Sequence, residues 1–177
     1  MGSKSVFYWE IAGVFFIIGC GILLHFTYDW SNQSSIVGVF SPINESIWEH
    51  LKIAYFPLVL FSFIEYFFIR EKTNNFFLAK ALGVLAVQLI IVGIFYTYTM
   101  FTNKPFMVID ISSYILGVII CQIISYKILT KTMPHSALNL LGLGFLLLNG
   151  ALFMYFTFNP PQGILFQEPS TYLEESS

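Results

Sequence analysis

The stretch FYWEIAGVFFIIGCGILLHF, Phe7 to Phe26, decides the fold: twenty residues carrying one acid, Glu10, and one imidazole, His25. An α-helix rises 1.5 Å per residue, so about 20 apolar residues match the roughly 30 Å hydrocarbon core of a bilayer. Four further runs of this kind follow, Leu51 to Ile69, Phe76 to Tyr98, Phe106 to Leu129 and Ala137 to Phe158. Hydrocarbon offers no partner to an open backbone, which makes helices the expected form of each run. The composition agrees. Charged residues make up 10% of the chain, against about 25% in soluble domains, too few to coat a surface facing water. The expectation is an all-α integral membrane bundle of five transmembrane helices, one domain over 1–177, ending in a tail from 159 to 177.

Several classes fall away early. A net charge of −2 supplies no basic face for nucleic acid. Cys20 and Cys121 both lie in apolar runs, where thiols act as small buried hydrophobes rather than as a disulfide framework. Lys4, the apolar run and IIGC (Ile17 to Cys20) imitate a lipoprotein signal. Glu10 interrupts that pattern, however, and the run continues to Phe26, beyond the 7–15 residues of a signal core, so no cleavage is expected.

Lysine and arginine set the expected orientation. Lys4, Arg70, Lys72, Lys80, Lys127 and Lys131 fall at one set of span ends, and Lys52 and Lys104 at the other. The lysine-rich ends are expected in the cytoplasm with the N-terminus, and the tail, with Glu168, Glu174 and Glu175, outside. Trp30 and Trp48 suit an outer aromatic belt, Tyr8 and Trp9 an inner one. Ser41-Pro42 is expected to cap and begin the second spanning helix, and Pro57 to bend it. SSIVGVF (Ser34 to Phe40) is too short to span and is expected at the interface or dipping back into the bundle.

Against this apolar background, SPINESIWEHLK (Ser41 to Lys52) crowds two glutamates, a histidine and a lysine into twelve residues. His25 and Asp29 lie four apart at the outer end of the first span, and share a face if the helix continues. Glu45, Glu49 and Lys52 recur at i, i+4 and i+7 and are expected on one helical face, with Ser46 and His50 on the next. Asp110 sits near the outer end of span four. His25, Asp29, Asn44, Glu45, Ser46, Glu49, His50 and Asp110 therefore form the candidate ligand-binding set, with His25, Asp29 and His50 as candidate metal ligands. Imidazole with carboxylate is a donor set for zinc and similar divalent ions, and also a general acid and base. The structural alternative is that Glu45 and Glu49 favour a helix N-terminus and that Glu49 pairs with Lys52 at i, i+3.

At the inner ends, Glu10, Glu65 and Lys80 are expected to pair between helices, with a proton or ion path as the alternative. Gln88 and Gln122 are expected to hydrogen-bond neighbouring helices. The stripes Asp110, Ser113, Gly117, Cys121, Ser125 and Asn139, Gly142, Leu146, Asn149, Phe153 are expected to be packing surfaces.

LHFTYDWS (Leu24 to Ser31), FSPINESIWEHLK (Phe40 to Lys52) and FNPPQGILFQEP (Phe158 to Pro169) together resemble an uncharacterised family of small bacterial polytopic membrane proteins carrying an NESxWEH motif. The resemblance implies a multi-span bacterial membrane protein and no activity. Three functions remain open. The first is binding or transport of a small solute or ion through an outward-facing acidic and histidine site. The second is a membrane-embedded metal-dependent hydrolase acting on lipid or an exported substrate, with Glu45 or Glu49 activating water. The third is a non-catalytic subunit that meets a partner or another copy, its tail acting as lid or docking segment through Ile164, Leu165 and Phe166.

Overall fold

The structure, a computed structural model, describes residues 2–169; Ser170 to Ser177, with Glu174 and Glu175 of the acidic tail, lie outside the described residues. Those described form six α-helices and no strand: α1 (Gly2–Trp30), α2 (Ser35–Gly38), α3 (Ile47–Ile69), α4 (Phe76–Thr102), α5 (Met107–Lys131) and α6 (Ser136–Phe158). All except α2 are long and apolar enough to cross a bilayer. Mid-helix side chains such as Phe15 (74% exposed) and Leu147 (67%) face outward, the pattern of a surface solvated by lipid rather than water.

The helices alternate in direction. Glu10 near the start of α1 meets Lys80 near the start of α4 and Ser125 near the end of α5, which together define a basic end. At the other end, the histidine end, Lys52 at the start of α3 reaches Thr157 at the end of α6, and Tyr98 late in α4 reaches Asp110 early in α5. α1 packs on α3 and α5, α4 on α5 and α6, and α3 also touches α4 and α6. The reversals at the ends of α4 use asparagines in the left-handed region, Asn75 (φ 50°) and Asn103 (φ 51°), a conformation asparagine tolerates better than most residues.

Small and amide residues set these contacts, as their spacing predicts. A methyl added at Gly142 would lie 2.6 Å from the backbone of Leu78, and one at Gly117 2.8 Å from Val87, so the glycines let α6 and α5 approach α4. Gln88 and Asn149 exchange two hydrogen bonds, of 3.0 and 3.3 Å, between α4 and α6. Asn139 of α6 accepts from the amides of Phe77 and Leu78, at 2.8 and 3.2 Å, capping the start of α4 from outside its own helix.

Two expectations about the approach to α3 are corrected. The helix begins at Ile47, not at Ser41-Pro42, and its N-cap is Ser46, whose Oγ accepts from the Glu49 amide at 3.4 Å. Ser41 is occupied elsewhere: its hydroxyl donates to the Leu24 carbonyl at 2.6 Å and fastens the loop to α1. In consequence Glu45 precedes the helix and does not share a helical face with Glu49 and Lys52.

Candidate functional site

The histidine end is built on α1. Ile17 and Gly21 lie on the face of α1 that packs into the bundle, and His25 follows Gly21 by four residues, one turn further on the same face. Gly21 permits the crossing with α3: a methyl there would sit 2.1 Å from the Tyr114 hydroxyl and 2.6 Å from the Ile53 carbonyl. The neighbouring chemistry is connected. Pro57, inside α3, has no amide hydrogen to give the carbonyl of Ile53 four residues back. The Tyr114 hydroxyl, which donates to the Ile17 carbonyl at 2.7 Å, lies 3.5 Å from that same Ile53 oxygen. One phenol thus joins α1, α3 and α5 directly beneath His25.

On α3, the cap at Ser46 places His50 in the first turn. His50 Nδ1 lies 3.0 Å from the Ser46 carbonyl, and as an N–H it donates there, which leaves Nε2 as the free lone pair. Nε2 is 3.4 Å from Glu45 Oε2. The imidazoles of His25 and His50 stand with ring centroids 5.2 Å apart. One donor atom each from His25, Glu45 and His50 falls within 4.8 Å of the other two. Nδ1 of His25 is buried with no hydrogen-bond partner.

Such an arrangement suits a metal ion. Tetrahedral bonds of about 2.0–2.1 Å put neighbouring donor atoms roughly 3.3–3.4 Å apart, the separation already present between His50 and Glu45. The contact from Nδ1 of His50 to a backbone carbonyl is the kind that fixes the tautomer and ring orientation of a metal-ligating histidine. Glu45 is exposed and both histidines are half-buried, so the cluster is open on one side.

The remaining expected residues divide. Asp29 is exposed and acts on His25 electrostatically, outside the group of three close donors. Asp110, half-buried, accepts from the Tyr98 hydroxyl at 2.8 Å and interacts with His50 through space. Asn44 and Ser46 serve the loop and cap: Asn44 Oδ1 accepts from the Ser46 amide at 3.0 Å. Glu49 is withdrawn from the site and unsuited to activating water. It is buried, paired with Lys52 at 2.5 Å, and accepts from the Ile43 amide at 3.0 Å. Lys52, fully buried, also donates to the Gly38 carbonyl at 2.8 Å and to Thr157 at 2.9 Å. The i, i+3 pair is therefore a structural clamp. It resolves the SSIVGVF segment, whose helix α2 is fastened at Gly38 to α3 and α6.

The tail returns to this end. Phe166, in a 3₁₀ turn at Ile164–Phe166, packs its ring 4.9 Å from Trp48 and 5.5 Å from Phe156. Trp48, half-buried, consequently sits in an aromatic cluster with Phe153, whereas Trp30 is exposed.

A model of a protein family described as a family of unknown function, DUF6512, matches residues 2–172 of the chain. No curated protein and no solved structure matches it.

Proposed function

The chain belongs to DUF6512, a family whose function is unknown, and from its own residues we propose that it is a multi-pass cell-membrane protein that binds a divalent transition-metal ion of the zinc class at His25, Glu45 and His50, on its extracytoplasmic face. The convergence of three donor atoms within 4.8 Å carries this reading. The orphaned Nδ1 of His25 and the anchored ring of His50 support it. Lysine and arginine at the opposite helix ends support a cytoplasmic N-terminus and hence an outward-facing site. Gly21, Tyr114 and Ile53 pack closely one turn below, which favours capture of an ion at the surface over passage through the bundle.

A second reading follows from the ligand count. Three protein ligands leave a fourth tetrahedral position for water, the arrangement of catalytic rather than structural zinc. Besides the proposed ligand Glu45, Asp29 and Asp110 are acids near the imidazoles that lie outside the Glu49–Lys52 clamp. Metal-assisted hydrolysis of a lipid or exported substrate is the corresponding activity.

Elemental analysis of protein purified without chelator tests the metal. The expected result is about one zinc per chain, lost in His25→Ala and in His50→Ala. Added zinc at 100 times Kd stabilises by about 2.7 kcal/mol, or roughly 5–10 °C in Tm for a chain of this size. Protein that carries no metal and whose Tm ignores added zinc would exclude both readings.

A further inference from the structure

At the basic end, beyond the proposed metal site, four helices bring together a buried group with unbalanced charge. Glu10 of α1, Glu65 of α3 and Lys80 of α4 are 3%, 0% and 1% exposed. Lys80 Nζ lies 2.9 Å from Glu10 Oε1 and 2.5 Å from Glu65 Oε2. The Ser125 hydroxyl of α5 donates to Glu10 Oε1 at 2.7 Å, and Gln122 donates to the Glu10 backbone carbonyl at 3.1 Å. The pairing expected between these acids and Lys80 is present, but as a triad: two carboxyl groups share one ammonium.

The two acids are not equivalent. Glu10 Oε1 accepts two donors. Glu65, the least exposed of the three, has Lys80 alone as donor, at Oε2, and none on Oε1. Glu10 Oε2 also lacks a donor. Among the described residues, the buried thiol of Cys121 on α5 is a further titratable group near the triad, and it supplies no positive charge. Arg70, one turn beyond Glu65, is exposed and lies over the Tyr66 ring at 5.4 Å.

We infer that the Glu10–Glu65–Lys80 triad is a proton-binding site, occupied at neutral pH, with the proton resting on Glu65. Two ionised carboxylates and one ammonium would leave a net charge of −1 sealed among helices. A buried charge without a counter-ion is neutralised by taking up a proton, and two carboxylates in one site do not both ionise freely. Glu10 is the member whose Oε1 two donors already satisfy. A metal cation is the poorer occupant. The two oxygens left without a donor, Glu10 Oε2 and Glu65 Oε1, are fewer than a hard cation gathers, and the ammonium already occupies the centre of the group. Loss of the proton would put uncompensated charge where α1, α3, α4 and α5 meet, which couples protonation to the packing of the basic end.

Infrared difference spectroscopy of detergent-solubilised protein at neutral pH reads the protonated-carboxyl C=O band. Wild type shows this band. Glu65→Gln and Glu10→Gln each lose it, because one acid and one lysine then balance. Thermal unfolding is the second readout. The folded chain holds a proton that the unfolded chain releases, so wild-type Tm falls as pH rises above neutral, while Glu65→Gln, which mimics the neutral acid, flattens that dependence without loss of Tm at neutral pH. The Cys121 thiol, intact in all variants, leaves any contribution of its own unchanged. A band absent from wild type, a band surviving in either glutamine variant, or a Tm raised by sodium in its place would each overturn the assignment.

Discussion

Replacing Lys52 with methionine tests how the chain holds its site together. The ammonium is fully buried and makes three contacts, to Glu49 Oε2, the Gly38 carbonyl and the Thr157 hydroxyl. Methionine fills similar space and supplies none of them, leaving the Glu49 carboxylate buried without its counter-ion. Breaking a buried pair from one side costs about 3–5 kcal/mol. For a chain of 177 residues, each kcal/mol corresponds to roughly 2–4 °C, so Lys52→Met lowers Tm by about 6–20 °C in detergent, followed by circular dichroism. Adding Glu49→Gln removes the stranded charge while keeping an acceptor for the Ile43 amide, and the double variant recovers at least half the loss. The same change loosens the segment from Gly38 to Ser46, which carries Glu45, so zinc affinity falls although no proposed ligand is altered. Hydrogen exchange over that segment rises in parallel. A Tm within about 2 °C of wild type, or a double variant whose loss equals the sum of the singles, would refute the clamp.

Two further predictions concern the frame around the site. Gly21→Ala drives a methyl to within 2.1 Å of the Tyr114 hydroxyl and 2.6 Å of the Ile53 carbonyl, so α1 must move away from α5 and α3; the expected loss is about 1–3 kcal/mol, read as a lower Tm together with weaker zinc binding one turn above, while Gly19→Ala, whose added methyl meets nothing within 4 Å, leaves both unchanged. Asn139→Ala removes the acceptor shared by the Phe77 and Leu78 amides and costs about 1 kcal/mol, the usual value of a lost helix cap; Asn139→Asp, which keeps the oxygen, retains stability, and equal losses in the two variants would show that the cap is not what Asn139 supplies.

The spans were legible because apolar run length is a one-dimensional property, and the observed helices enclose or closely match the predicted runs, extending the first from Phe7–Phe26 to Gly2–Trp30. The stripes of small residues were legible for a similar reason: helical spacing places Gly117, Cys121 and Ser125 on one face, and all three are buried. The start of α3 was misjudged because Ser41-Pro42 imitates a cap. The better signal was also in the sequence: Ser46-Ile47-Trp48-Glu49 has the S-x-x-E form of a helix beginning. Reading the cap at Ser46 would have taken Glu45 off the helix, leaving the i, i+3 pair of Glu49 with Lys52, already the structural alternative, as the better reading of those two residues.

By itself the sequence determined that the chain has five apolar helices, that its ionisable residues cluster at their ends, and that imidazole and carboxylate gather at one of those ends. These follow from length, period and composition, which act locally along the chain. Which acid serves which partner was decided by the tertiary structure. Glu45 and Glu49 are the same residue type four positions apart, yet one stands exposed beside two imidazoles and the other is buried against Lys52. The difference arises where α2, the cap at Ser46 and the end of α6 meet, because a carboxylate's chemistry depends on the counter-charges and donors that distant segments bring within about 4 Å.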